Sequence, residues 1–167
     1  DYVKQIHAAH SEVAALYEMA QTFSASLDVQ DVVTLTVNRI GRMIPFTTCV
    51  VFLRQPDDSA LAAYAFGRNA EQLLGRSLAA GHGIAGWVVI NGRPMTNTDP
   101  MLDLNEFLGD SEAGYRAAAV FPLTNGVETI GALALYSTDL DSYSSDHLHL
   151  LESVSRLAST ALQHAML

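Results

Sequence analysis

The run Gly81-His82-Gly83-Ile84-Ala85-Gly86-Trp87-Val88-Val89-Ile90-Asn91-Gly92-Arg93-Pro94 constrains this chain more than any other stretch. It reads as a glycine-hinged turn that leads into one short apolar helix. Gly81 and Gly83 open backbone conformations closed to other residues, and Gly86 lets the helix lie close to whatever it covers. Asn91-Gly92 ends the helix through left-handed backbone, and Pro94 cannot continue it. The first-turn N–H groups, from about Gly83 to Gly86, have no acceptor within the helix and are expected to point into the space beneath the loop. The helix therefore serves as the wall of a cavity.

The rest of the chain supplies what that wall covers. A helix expected over about residues 2–26 carries Ile6, Ala9, Val13, Leu16, Ala20 and Phe23, with Leu27 just after it, at alternating gaps of three and four, a heptad seam. Such a helix either packs on its own domain or pairs with its copy in a second chain, and the heptad spacing favours the pair. Asp28 is suited to cap a second helix, in which Val32, Val33, Leu35, Val37, Ile40 and Met43 form a wide apolar face that ends before Pro45. Residues 47–53 and 60–66 read as strands joined into a hairpin by Pro56-Asp57-Asp58-Ser59. A short helical link at 69–74 and a short strand at 76–79 lead into the glycine stretch.

Five acids, Asp99, Asp103, Glu106, Asp110 and Glu112, follow within fourteen residues that contain no Lys or Arg. Leu102, Leu104, Phe107 and Leu108 at near-helical spacing predict a turn or two of helix whose apolar side caps a cavity. Long irregular connections of this kind are often binding lids, and a merely solvated loop is the plain alternative. The acids lack the glycine-centred spacing of a calcium loop. Residues 117–123 and 129–136 are the clearest strands, joined around Asn125-Gly126, a strong hairpin signal. Pro122 cannot donate to a ladder, which predicts a bulge or an unpaired edge. Ser144 and Asp146 then open a last helix in which Leu148, Leu151, Val154, Leu157, Ala158, Ala161, Leu162 and Ala165 cover more than one face. One face suits the sheet and the Ala-rich remainder suits a partner helix.

Taken in order, the Gly-x-Gly-Ile-Ala-Gly-Trp-Val run, the Gly92-Arg93-Pro94 lead into a strand, Val120-Phe121-Pro122-Leu123, Ile130-Gly131-Ala132-Leu133 and a closing helix near Tyr143 resemble the GAF domain family of small-molecule-sensing modules. The resemblance covers nearly the whole chain. It implies an α+β, PAS-like fold with about six antiparallel strands. Helices from both chain ends lie on one face, and residues 68–116 roof a pocket on the other. It also implies one domain over 1–167, divided into a connector and dimerisation helix (1–27), a sensory core (28–142) and a signalling helix (143–167).

The function implied is regulatory: a fragment of a larger bacterial signal-transduction protein that passes ligand state through dimeric terminal helices to an output domain, such as a kinase, cyclase or phosphatase, outside this chain. A ligand-free structural dimerisation module is the alternative, and a haem-binding redox or gas sensor using His82 is a remoter one. The ligand is expected beneath residues 81–86, with a polar or anionic group at the N–H groups of Ile84 and Ala85. Around these and His82 and Gly83, the walls are expected from Cys49, Val51, Phe66, Thr96, Thr98, Asp99, Leu104, Phe107, Tyr115 and Ala118, with Arg116 as counter-charge. A homodimer is expected to use Ile6, Val13, Leu16, Ala20 and Phe23 together with Val154, Ala158, Ala161 and Ala165.

Several chemistries lack their residues. No Gly-x-Ser-x-Gly elbow, His-Glu-x-x-His helix or phosphate loop occurs, and no nucleophile has a recognisable base, so no catalysis is expected. One branch of the family reduces methionine sulfoxide with several cysteines, whereas Cys49 stands alone and reads as a core thiol. The bilin-bearing branch places a cysteine in the segment matching 99–116, which here has none. The cyclic nucleotide signature is replaced by Ser137-Thr138, Tyr143 and His147-Leu148, with only the aromatic kept, so a cyclic nucleotide stays open. His147 and His149 lie on different helix faces, and His7 and His10, three apart, could share a metal but read as exposed, inert helix histidines; no metal and no required cofactor are expected. Trp87 reads as core rather than as a stacking platform.

Composition narrows the partners. The net charge of −9 opposes nucleic acid phosphates. Charged residues make up 16% of the chain, below the roughly 25% usual for soluble proteins, so some apolar surface is expected to belong to a partner. One cysteine fits a reducing compartment, and no apolar run reaches membrane-spanning length, which together suggest a cytoplasmic segment with no direct membrane insertion.

Overall fold

In the computed structural model, the described residues are 28–109 and 114–165. The heptad seam of residues 2–27, with Ile6, Val13, Leu16, Ala20 and Phe23, lies outside them.

The first helix among the described residues, α1 (Val29–Met43), is capped as its sequence predicts: Asp31 N–H donates to Asp28 Oδ1 at 2.9 Å, and Ile44 N–H closes the far end on Ile40 O. Strands β1 (Thr48–Arg54) and β2 (Ala60–Gly67) form the first hairpin. Helix α2 (Ala70–Leu73) and strand β3 (Ser77–Leu78) follow, then the glycine-led helix α3 (Gly83–Asn91), which ends on left-handed Gly92. Strand β4 (Met95–Thr98), helix α4 (Met101–Leu108), the long hairpin β5 (Ala117–Thr124) and β6 (Thr129–Ser137), and helix α5 (Ser145–Ala165) complete the order. Helix α5 starts after Ser144, whose Oγ accepts from His147 N–H, so the closing helix begins two residues beyond Tyr143.

The six strands form one antiparallel sheet in the order β3-β2-β1-β6-β5-β4. Its centre, β1 and β6, is buried on both faces, which is why those strands read as unbroken apolar runs rather than as alternating ones. Pro122 pairs with Ala132 of β6, and β4 stops opposite Val120, so the proline lies where β5 has no neighbour on its outer side. The bulge sits at Leu123/Thr124, and Thr124 N–H is taken up by Ser159 Oγ at 3.0 Å.

Alternation along each strand divides the core in two. Cys49, Val51, Ala117, Ala119, Phe121, Leu133 and Leu135 face α1 and α5, packing with Val33, Val37, Ile40, Leu150, Leu151, Val154 and Ala158. Val50, Phe52, Ala118, Val120, Ala132, Ala134 and Tyr136 face the other way, under α2, α3 and α4. The terminal-helix face is thus built by α1 and α5. Val154 and Ala158 belong to that intramolecular core and Ala161 is also buried, which corrects the expectation that they form an Ala-rich dimer face. The outer face of α5 is polar instead, with Glu152, Arg156, Thr160 and Gln163 exposed and Arg156 donating to Glu152 at 2.7 Å. The side chain of Ala165 is outside the described set.

Candidate functional site

Helix α3 contains no charged residue, and its inner side (Ile84, Ala85, Val88, Val89) is fully buried against the sheet. The N–H groups of Ile84 and Ala85 therefore cannot reach water and need an acceptor from within the protein. Helix α4 supplies it. Ile84 N–H donates to Asp103 Oδ1 at 2.6 Å, and Ala85 N–H lies 3.4 and 3.3 Å from the two carboxylate oxygens. From β6, Tyr136 O–H donates to Asp103 Oδ2 at 2.6 Å. Asp103 and Tyr136 are both 0% exposed.

The approach depends on Gly83. Its φ is +67°, in the left-handed region, and a Cβ there would collide with Asp103 Oδ1. Among the described residues no Lys or Arg pairs with Asp103, so its charge is offset only by the three donors and the positive end of the α3 dipole. That is too little to compensate for lost hydration. Burial pushes the Asp103 carboxyl up to about 6 against the pull of Tyr136 and the two N–H groups, with Glu106 adding to the rise. Burial, and then the nearby Asp103 charge, raises the Tyr136 phenol well above its ordinary value.

The N–H groups of Ile84 and Ala85, expected to face a polar or anionic group of a ligand, are met instead by a carboxylate of the chain itself. The near-helical spacing predicts Leu102, with Leu104, Phe107 and Leu108, on the inner side of this helix. Helix α4 turns Asp103, Leu104 and Leu108 inward, with Phe107 partly buried beside them, and leaves Leu102 58% exposed with Asn105 and Glu106. Residues 103, 104, 107 and 108 make one helical face, so the phase of the helix decides which acid is buried.

The remaining candidates divide between the two faces. Leu104, Phe107, Tyr115 and Ala118 belong to the core under α3. Tyr115 ties that core to the strand ends: its hydroxyl donates to Asn69 Oδ1 at 2.8 Å and lies 2.7 Å from Thr48 Oγ1. Thr96 and Thr98 sit on edge strand β4 around a bulge at Asn97, half-buried, and Thr98 Oγ1 is buried without a hydrogen-bond partner. His82 precedes α3 and is exposed, with no capping bond from its side chain. Asp99 is exposed and accepts from Met101 N–H at 3.0 Å. Arg116 is exposed, its backbone N–H bonded to Ser137 O at 2.7 Å; it is not the counter-charge of the cluster. Trp87 is half-buried against the same core.

Cys49, Val51 and Phe66 are on the opposite face, packed with α1 and α5, and cannot wall the space under α3. Because β1 is apolar at every position from 49 to 53, its sequence carries no phase, and a shift of one residue exchanges the two faces. Val50 and Phe52 hold the places assigned to Cys49 and Val51. Burial pushes the Cys49 thiol far up, as for a core thiol. Among the described residues no three His, Cys, Asp or Glu side chains converge as a metal site, and no helix is long and apolar enough to cross a membrane.

A family model described as "GAF domain" matches residues 26–163. Among solved structures, the GAF domain of an Acinetobacter phosphoenolpyruvate-protein phosphotransferase superposes with a TM-score of 0.75 at 17% identity, covering 98% of this chain and 93% of that one. The corresponding domain from Coxiella burnetii gives 0.74 at 18% identity, covering 99% and 95%. Free methionine-R-sulfoxide reductase from Neisseria meningitidis, in complex with its substrate, gives 0.72 at 16% identity, covering 99% and 90%. No curated protein matches the chain.

Proposed function

The chain belongs to the GAF domain family, and we propose that it serves as a regulatory, small-molecule-sensing domain within a larger cytoplasmic signal-transduction protein. In this reading residues 1–27 form a connector that pairs with its copy in a homodimer, residues 28–142 are the sensory core, and residues 143–167 carry the signal. The output domain, a kinase, cyclase or phosphatase, is joined outside this chain. In this reading the domain itself performs no catalysis, and its one cysteine is a buried thiol.

One observation carries the reading. Neighbouring residues of β6 face opposite ways, Tyr136 into the polar cluster under α3 and Leu135 into the core of α1 and α5. A change in what occupies the cluster bears on a strand whose other face lies in the core shared with α1 and α5. An ionisable group held at the centre of a core, with its titration displaced toward neutrality, is also more common at functional sites than at structural ones.

A specific observation favours the second reading, a ligand-free dimerisation module: Asp103, Leu104 and Tyr136 already occupy the space under α3. Mass spectrometry of small molecules released from purified protein separates the two. The sensing reading expects one molecule released in near-stoichiometric amount, whose return to the stripped protein shifts the amide resonances of Ile84 and Ala85. No released molecule, together with no thermal shift from a metabolite collection, supports the module instead.

A further inference from the structure

We propose that Asp103 is a proton-controlled latch between α3 and α4, whose protonated form holds the two helices together and whose ionised form loosens them. The proposal rests on the cluster alone and holds whether or not a ligand enters.

Three elements meet at one carboxyl group. Helix α3 offers the N–H groups of Ile84 and Ala85, β6 offers the Tyr136 hydroxyl, and α4 brings Asp103 itself. No titratable side chain lies on α3, and the strand residues nearest it on this face, apart from Tyr136, are apolar. On α4 the exposed Glu106 bears a charge of the same sign as ionised Asp103. Helix α2, which packs on α4, carries the exposed Glu71, and the turn before α4 carries the exposed Asp99. Arg76 lies over the Phe107 ring, 5.5 Å from its centre, and His82 is exposed ahead of α3. None of these supplies a cation to the carboxylate.

When α4 is docked, the ionised side chain is held in the core with three donors and no counter-charge, while the neutral acid is held without the hydration penalty. When α4 lifts, the carboxylate returns to water. A docked carboxyl that titrates near 6, against 3.8 for the ordinary group, binds its proton more tightly in the closed state. Docking is accordingly strongest at low pH and weakens as the pH rises through 6. Between pH 5 and pH 7.5 the opening equilibrium increases about tenfold.

Hydrogen exchange on the whole chain reads this opening. Protection factors at Ile84, Ala85, Asn105 and Glu106 are expected to lie below those of Leu133 and Leu135 in the sheet and to fall about tenfold from pH 5 to pH 7.5, and in Asp103→Asn to stay level with pH. The Asp103 side-chain carboxyl carbon of the unaltered protein is expected to titrate near 6. A carboxyl titrating at or below 4, or the same pH response in Asp103→Asn, overturns the proposal. If Asp103→Asn does not fold, Tyr136→Phe serves in its place. Removing a donor to the ionised form raises the midpoint of the carboxyl titration, and an unmoved midpoint overturns the latch.

Discussion

The hydroxyl of Tyr136 on β6 donates to Asp103 Oδ2 on α4 at 2.6 Å, so one hydrogen bond joins the central strand of the sheet to the helix that roofs it. The other oxygen of the same carboxylate accepts from the first turn of α3. Sheet, roof helix and wall helix are thereby held at one buried group.

Asp103→Asn tests the cost of that charge. In the folded protein the carboxyl titrates higher than in the unfolded chain, so folding binds its proton more tightly. The associated stability is fully present below about pH 4 and is lost as the pH rises to 6, by up to about 3 kcal/mol. Asparagine keeps an acceptor for Ile84 N–H and carries no charge. The stability of Asp103→Asn minus that of the unaltered protein should therefore grow between pH 4 and 6 and then level off in urea titrations. A difference independent of pH contradicts the assignment.

Gly83→Ala and Gly81→Ala separate backbone strain from collision. Both glycines have left-handed backbone, with φ of +67° and +76°, but only at Gly83 does a Cβ meet another group, Asp103 Oδ1; at Gly81 nothing lies within 4 Å. Gly81→Ala should cost about 1–2 kcal/mol from strain alone. Gly83→Ala should add about 1.5–3 kcal/mol by displacing a hydrogen bond to a charged group. Equal losses in thermal or urea melts rule out the close approach.

Much of this architecture was legible in residue order, and the gaps have identifiable causes. Asn125-Gly126, the Asp28 cap and the Asn91-Gly92 stop are local signals whose chemistry acts within a few residues, and each marks its turn or helix end where expected. The strand faces were less legible, because β1 is apolar throughout and Cys49 could not be told from Val50 by pattern. Asp103 was hidden for another reason. An acid among five acids reads as surface, and only the phase of α4, which aligns 103 with 107, places it inside. Tyr136 was read as the end of a strand, and its role follows from a contact thirty-three residues away.

The dimer expectation divides into two outcomes. Val13→Glu with Leu16→Glu should yield folded monomer in sedimentation, because those residues are proposed to meet only a second chain. Val154→Glu should unfold the domain rather than separate a pair. Val154 is 2% exposed in the core with Val33 and Val37, and an unpaired charge buried there costs several kcal/mol. A well-folded Val154→Glu monomer returns this helix to the dimer interface.

The central claim is that events under α3 reach the terminal helices through β6. Methyl NMR of the whole chain carrying Tyr136→Phe tests it most directly, because the substitution removes one hydroxyl on the α3 side and leaves the volume of the ring. Leu150 and Val154 on α5 lie across the sheet from that hydroxyl. The account predicts that their methyl resonances move along with those of Ile84 and Leu104. Shifts confined to Ile84, Val88, Leu104 and Leu108, with Leu150 and Val154 unmoved, contradict it.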